Sequence, residues 1–150
     1  MASPLSSWAL TRATPQASVL LAPSERHEGA AEHPFPVADR AGYKAAVGLS
    51  NGELNERIRQ APVVSIPVAG LVAIQHTVRP ERVQQYLDDP MRVPAPGGPV
   101  PTDVPIVVKV DGVKHIHDGH HRSASHVLRG DANMRARYVD LDAERAESAR

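Results

Sequence analysis

The chain has 150 residues, enough for one domain with its own core, and its 17 basic and 17 acidic residues give no formal net charge. Bulk charge therefore offers no argument for nucleic-acid binding, which would have to rest on a local patch. The absence of cysteine excludes disulfides, thiolate metal sites and a cysteine nucleophile. We find no apolar run long enough for a membrane span and no continuous secretory signal, so we expect a cytoplasmic protein without a membrane partner.

Residues 1–38 are predicted to form an N-terminal arm rather than a folded unit, because prolines recur too often for a helix. Its remaining residues are mostly small and polar, a composition typical of chain without regular structure. The apolar exceptions are Trp8, Leu10 and the three residues Val19, Leu20 and Leu21. Two alternatives stay open: the arm is disordered, or these side chains dock onto the domain or onto a partner protein.

A helical lead-in is predicted over residues 39–61. Residues 38–47 are long enough for a short helix, and Ser50 and Glu53 have the spacing of a capping box, which satisfies the first N–H groups of a second helix. Leu54 and Ile58 then fall on one face of that helix. We expect this face to be buried and the charged residues between to face solvent.

The main domain is predicted over residues 62–142, with a charged tail at 143–150. It opens with a β-branched strand at Pro62–Val68, and Pro67 favours an edge position for that strand. Leu71–Gln75 is expected to continue this strand after a bend. A helix over Pro80–Asp88 follows, with proline at its first position. The stretch Asp89–Pro105 is a proline- and glycine-rich loop.

A hairpin is predicted next, because Val107–Val110 and Val113–Ile116 flank Asp111-Gly112, a pair suited to turns with positive φ. A short helix then begins at His120 and ends at Gly130. Met134–Leu141 alternates in hydropathy and predicts one more strand. The order of strand, helix, loop, hairpin, helix and strand indicates an α+β fold.

The hairpin and helix meet in the most unusual stretch of the sequence, where four histidines, one aspartate and one arginine fall within His115–Arg122. His115 and His117 lie on one face of the strand and are the candidate metal ligands. The order of residues fails the H-x-H-x-D-H pattern of the metallo-β-lactamase fold, because Asp118 directly follows His117. An unspecialised polar surface is the other interpretation of these histidines.

The same junction predicts a phosphate site. Gly119 would let the backbone approach a ligand, the first N–H groups of the helix would face it, and Arg122 and Ser123 would add a cation and a hydroxyl group. A simpler alternative stays open for each residue. Gly119 can serve only the turn into the helix, and Arg122 can pair with Asp118 or with a carboxylate of the tail.

The sequence DGHHRSA at Asp118–Ala124 resembles the signature of the ParB/sulfiredoxin superfamily, and the resemblance extends over residues 63–141. It implies a small mixed sheet in which the hairpin leads into a helix whose N-terminus holds nucleotide phosphates. The box that it implies is Gly119, His120, His121 and Arg122, with Gln75 near the pocket and Asp118 holding the turn or assisting chemistry.

Two departures from the superfamily pattern narrow the range of functions that the resemblance implies. Sulfiredoxins carry a catalytic cysteine where His120 stands, so sulfinic-acid reduction is excluded. Partition ParB proteins carry a DNA-binding helix-turn-helix domain after the box. About 20 residues follow Gly130 here, so centromere binding of that kind is not expected.

Two functions follow as expectations. In the first, a ParB-like nuclease or nucleotide hydrolase binds a nucleotide or nucleic acid, including DNA, with a nucleoside triphosphate and a divalent metal ion as candidate cofactors. His120, His121 and Asp118 would then be catalytic, with the histidines as general acid and base. In the second, the fold is a non-catalytic interaction module, for example in a phage or another assembly, and the N-terminal arm docks a protein partner.

Overall fold

A five-stranded mixed sheet carries the fold in this computed structural model, which describes residues 14–90 and 104–149. Within those ranges the chain forms six helices and seven strands, which is an α+β fold. The helices are α1 (Ala17–Leu20), α2 (Arg40–Val47), α3 (Asn51–Gln60), α4 (Pro80–Asp88), α5 (His120–Arg129) and α6 (Leu141–Ser148). The strands are β1 (Ala31–Glu32), β2 (Val63–Pro67), β3 (Leu71–Ala73), β4 (Thr77–Val78), β5 (Ile106–Val110), β6 (Val113–Asp118) and β7 (Asn133–Asp140).

The strand order of the large sheet is β2-β7-β5-β6-β3, and β1 pairs with β4 in a separate two-stranded sheet. The central strand β5 runs antiparallel to β6 and parallel to β7. The outer strands differ in direction, because β2 is antiparallel to β7 while β3 is parallel to β6. The sheet is therefore mixed, and the β5–β6 hairpin lies at its centre.

Both faces of β5 are buried except at the half-buried Lys109, which explains the apolar run Ile106–Val108. On one face, Val108 and Val110 pack with Tyr43 of α2 and Ile58 of α3. On the other face, Val107 belongs to a second apolar cluster with residues of β2, β3, β6 and β7. A strand that is buried on both faces gains burial energy along its whole length, so its side chains need not alternate between apolar and polar.

The hairpin and the ends of three helices confirm the sequence prediction. Asp111 and Gly112 form the turn with φ of 55° and 77°, and Gly130 ends α5 with φ of 77°. Ser50 and Glu53 form the predicted capping box at the start of α3. Pro80 occupies the first turn of α4 as expected. These features depend on local backbone chemistry, which the sequence specifies directly.

The expectation that Leu71–Gln75 continues β2 is wrong. A turn at Ala69 and Gly70, with Gly70 at φ 86°, separates β2 from β3, and β3 lies at the opposite edge of the sheet. There Leu71 and Ala73 are buried in the second cluster beside Ile116. The apolar face of β3 is thus satisfied against β6, and β2 keeps the edge position predicted from Pro67.

The described part of the N-terminal arm, residues 14–38, packs against α4 and α5. Ala17 and Leu21 are buried with Val83 and Ala124 in a third cluster, whereas Val19 and Leu20 are exposed. Trp8 and Leu10 lie outside the described residues, as does most of the predicted loop at 89–105. Of the predicted charged tail, most residues belong to α6, whose first N–H groups are capped by Asp140.

None of the helices in residues 14–90 and 104–149 has the length and apolar character that a membrane crossing requires.

Candidate functional site

The candidate site is built at the junction of β6 and α5, where Gly119 has a positive φ of 85°. A Cβ atom at this position would lie 2.8 Å from the Cα of Pro105, closer than two carbon atoms can approach without a shift. The Asp118 carboxylate accepts a hydrogen bond of 2.8 Å from the Gly119 N–H. Asp118 therefore holds the turn, one of the two roles that the resemblance implies, and Gly119 lets the turn approach the start of β5.

His120 is the first residue of α5, and its imidazole is almost completely buried. Its Nε2 atom accepts a hydrogen bond of 3.2 Å from the backbone N–H of Ile74. Burial and the neighbouring His33 lower the pKa of His120 to about 3. The ring is thus neutral at pH 7, and because Nε2 is the acceptor, its proton must reside on Nδ1.

His121 makes the equivalent contact on the other side of the helix start. Its Nε2 atom accepts a hydrogen bond of 3.1 Å from the backbone N–H of Arg79. Burial and the positive charges of Arg82 and Arg79 lower the pKa of His121 to about 4. This ring is also neutral at pH 7 with its proton on Nδ1, so both histidines combine an occupied Nε2 atom with an Nδ1 donor.

The two histidines hold opposite ends of one loop, which we call the stapled loop (residues 74–79). Within it, the Gln75 side chain donates a hydrogen bond of 3.0 Å to the Thr77 carbonyl. Successive residues of α5 therefore fix the position of Gln75, the residue that the resemblance assigns to the vicinity of the pocket.

Two polar clefts lie on either side of Gln75. The first cleft, about 270 Å³, is lined by Arg40, Ile74, Gln75, His117, Asp118 and His120. The second cleft, about 600 Å³, is lined by Arg26, His27, Glu28, Ala30, Gln75, Thr77, Val78, Arg79 and His121. The first cleft thus brings together four of the predicted site residues, which are Gln75, Asp118, His120 and the candidate metal ligand His117.

His115 and His117 share one face of β6 as predicted, but that face packs against α2. The rings of Tyr43 and His115 are 4.7 Å apart, and the Tyr43 hydroxyl lies 2.9 Å from His117 Nδ1. Burial lowers the pKa of both histidines. Among the residues that the structure describes, no three His, Asp or Glu side chains form a group that could hold a metal ion.

Arg122 and Ser123, the other members of the predicted box, do not line either cleft. The Arg122 guanidinium lies over the Tyr86 ring, 5.7 Å from its centre, and donates a hydrogen bond of 3.0 Å to the Pro90 carbonyl. Ser123 is buried, and its hydroxyl donates to the Gly119 carbonyl. Arg122 therefore faces α4, and Ser123 stabilises the first turn of α5.

Two residues of the site have no signal in the sequence. Arg40 begins α2, in the predicted lead-in, and lies almost 80 positions before Asp118 in the sequence. Both residues line the first cleft. His33 is buried with its ring 5.2 Å from that of His120, and burial and the neighbouring His121 lower its pKa to about 4. Both contacts depend on how the chain before β2 folds over the sheet, which no local pattern specifies.

Comparisons of the chain with protein-family models, curated proteins and solved structures find no match, so the ParB/sulfiredoxin resemblance stays a prediction.

Proposed function

We propose that this chain binds a phosphate group of a nucleotide or a nucleic acid in the first cleft. The observation that carries this proposal is the position of His120. Its Nε2 atom accepts from the Ile74 N–H, so its Nδ1 atom carries the proton as a hydrogen-bond donor, and His120 lines the polar first cleft. A donor that is fixed by the fold binds an anion without the entropic cost of being ordered.

The start of α5 adds to the attraction for an anion. No side chain caps this helix, and its N-cap residue is Gly119. The first N–H groups of a helix and its dipole favour a negative charge, and a carboxylate or phosphate supplies it. Together with His120, this end of α5 offers a preorganised set of neutral donors beside the first cleft.

Arg40 supplies the positive charge of the first cleft. Its side chain is exposed, and within residues 14–90 and 104–149 its guanidinium has no hydrogen-bond or ion-pair partner. A guanidinium is planar and can donate two parallel hydrogen bonds to a phosphate. Arg40 is therefore the side chain whose replacement tests the proposal most directly.

Asp118 and Gln75 limit the class of ligand. A bare carboxylate repels a phosphate, so Asp118 at the cleft wall favours a ligand that also carries a hydroxyl or amino group. Gln75 can both donate and accept hydrogen bonds. A nucleotide has phosphate, hydroxyl and amino groups close together, and this combination matches the cleft better than inorganic phosphate alone.

Binding is supported better than hydrolysis. A general base needs an available lone pair, whereas the Nε2 atoms of His120 and His121 accept hydrogen bonds from the backbone. Asp118 alone is too small a donor set for a divalent ion. The proposal therefore corresponds to a phosphate-binding module.

Isothermal titration calorimetry with nucleoside triphosphates, inorganic phosphate and short DNA tests the proposal. We expect a nucleotide to bind more tightly than phosphate, and Arg40→Gln to weaken binding at least tenfold. Arg135→Gln removes the same charge from an exposed position of β7, on the far side of β5 and β6, and should leave binding unchanged. No binding to any probe, or a loss with Arg122→Gln but none with Arg40→Gln, would overturn the proposal.

A further inference from the structure

We infer that the second cleft is a second anion subsite, so that the ligand carries at least two phosphate groups. This inference rests on the proposed function of the first cleft and adds to it the spacing of charges in the ligand. Either a linear phosphate chain or the successive phosphates of a nucleic-acid strand has this chemistry.

The second cleft has the same kind of neutral donor as the first. His121 lines it, and because its Nε2 atom accepts from the Arg79 N–H, its Nδ1 atom carries the proton. His120 and His121 are consecutive, so one helix start contributes one lining histidine to each cleft.

Arg26 and Arg79 provide the positive charge of the second cleft. Arg79 is paired only loosely, with 4.0 Å between its guanidinium and the Glu81 carboxylate, and both side chains are mostly exposed. The Arg26 guanidinium has no partner in the part of the chain that the structure describes. Glu28 is the acidic residue in the lining. The cations outnumber this carboxylate, and an incoming phosphate can replace the weak contact of Arg79 with Glu81.

The two clefts share Gln75, which lines both of them. The side chain of Gln75 is fixed by its hydrogen bond to the Thr77 carbonyl, and the stapled loop that carries it is fixed by His120 and His121. A ligand with two phosphates could thus place one in each cleft and cross over Gln75. Linking two binding groups in one ligand raises its affinity well above that of either group alone.

The test compares inorganic phosphate, tripolyphosphate and a 5′-phosphorylated dinucleotide by isothermal titration calorimetry. The double variant Arg26→Gln/Arg79→Gln removes the cations of the second cleft, and Arg135→Gln is the charge control. We expect at least one of the two longer probes to bind wild type at least tenfold more tightly than phosphate. The double variant should reduce this gain to less than threefold, while inorganic phosphate still binds in the first cleft. A larger gain in affinity for tripolyphosphate indicates a linear phosphate chain as the ligand. A larger gain for the dinucleotide indicates a nucleic-acid strand.

Two results overturn the inference while the proposed function stands. In one, phosphate binds wild type but neither longer probe binds more tightly. In the other, the double variant keeps the full gain of the longer probe. If no probe binds wild type, the proposed function fails as well. The titration of wild type with inorganic phosphate therefore distinguishes a failure of the second subsite from a failure of the first.

Discussion

His120 and Ile74 are joined by a hydrogen bond of 3.2 Å in which the imidazole Nε2 atom accepts from the backbone N–H. Both residues are buried, so the Ile74 N–H loses its acceptor in a buried setting if the imidazole is removed. A buried backbone donor without an acceptor costs about 1–3 kcal/mol. This contact ties the start of α5 to the stapled loop.

Replacement of His120 by alanine should therefore lower the free energy of unfolding by about 2–4 kcal/mol, from the lost hydrogen bond and the cavity together. Urea denaturation measures this change. His76→Ala is the matched control, because His76 is an exposed histidine of the stapled loop and its loss should cost less than about 0.5 kcal/mol. Equal stability of the two variants would mean that the His120 contact is not structural.

Gly119 should tolerate no side chain. In Gly119→Ala the left-handed backbone costs about 1–2 kcal/mol, and the contact with Pro105 adds strain, so we expect a total loss above about 3 kcal/mol. Gly70→Ala has a similar φ of 86° but meets no atom within 4 Å, so only the backbone cost applies. Thermal or urea unfolding of both variants gives the comparison. If both variants lose the same free energy of unfolding, Gly119 does not lie in close contact with Pro105 in solution.

Stability should fall as the pH decreases from about 6.5. The pKa values of His33, His120 and His121 in the folded protein are lowered to about 4, 3 and 4 from 6.5, mainly by burial. Below pH 6.5 the unfolded chain binds protons that the folded chain does not, so each histidine destabilises the fold by up to about 1.4 kcal/mol per pH unit down to its folded pKa. Above pH 6.5 these residues contribute no pH dependence.

Urea denaturation between pH 7 and 5 measures this effect in a window where exposed carboxylates remain ionised in both states. His33→Gln should make the pH dependence shallower. An unfolding free energy that stays constant from pH 7 to 5 would show that these imidazoles are not buried in their neutral form.

Asp142 should stabilise the central hairpin from outside it. Its two carboxylate oxygens accept hydrogen bonds of 2.7 and 2.8 Å from the N–H groups of Asp111 and Gly112, and the bond from Gly112 is the main cause that lowers the Asp142 pKa. Asp142→Asn removes one of the two acceptors and the charge, so we expect lower stability and faster hydrogen exchange at both amides.

Asp142 and Glu147 both belong to α6. Glu147→Gln removes one charge from the exposed end of this helix and serves as the control. Unchanged exchange of the Asp111 and Gly112 amides in Asp142→Asn would show that the turn is stable without this cap.

The parts of the fold that depend on local chemistry could be predicted from the sequence. The Asp111-Gly112 turn, the capping box and the ends of α5 each depend on a few adjacent residues. The position of β3 could not be predicted, because Leu71–Ala73 is equally apolar beside β2 or beside β6. Only the packing of the second cluster decides between these two arrangements.

The candidate site also combines residues that are adjacent in the sequence with residues that only the fold brings together. Its turn residues Asp118 and Gly119 and its first helical residue His120 are adjacent in the sequence, and the resemblance predicts all three as site residues. Arg40 and His33 join them from the chain before β2, and sequence separation hides both. Arg122 is the opposite case, since it belongs to the sequence motif but its guanidinium lies against Tyr86 and the Pro90 carbonyl.

The most direct test of the central claim is a nuclear magnetic resonance titration of the ¹⁵N-labelled protein with a nucleoside triphosphate. If the first cleft binds phosphate, the largest shifts should fall on Arg40, Gln75 and the backbone amides of residues 117–121, and they should disappear in Arg40→Gln. Shifts centred on Arg122 and Tyr86, or no shifts at millimolar ligand, would contradict the assignment of the first cleft as the phosphate site.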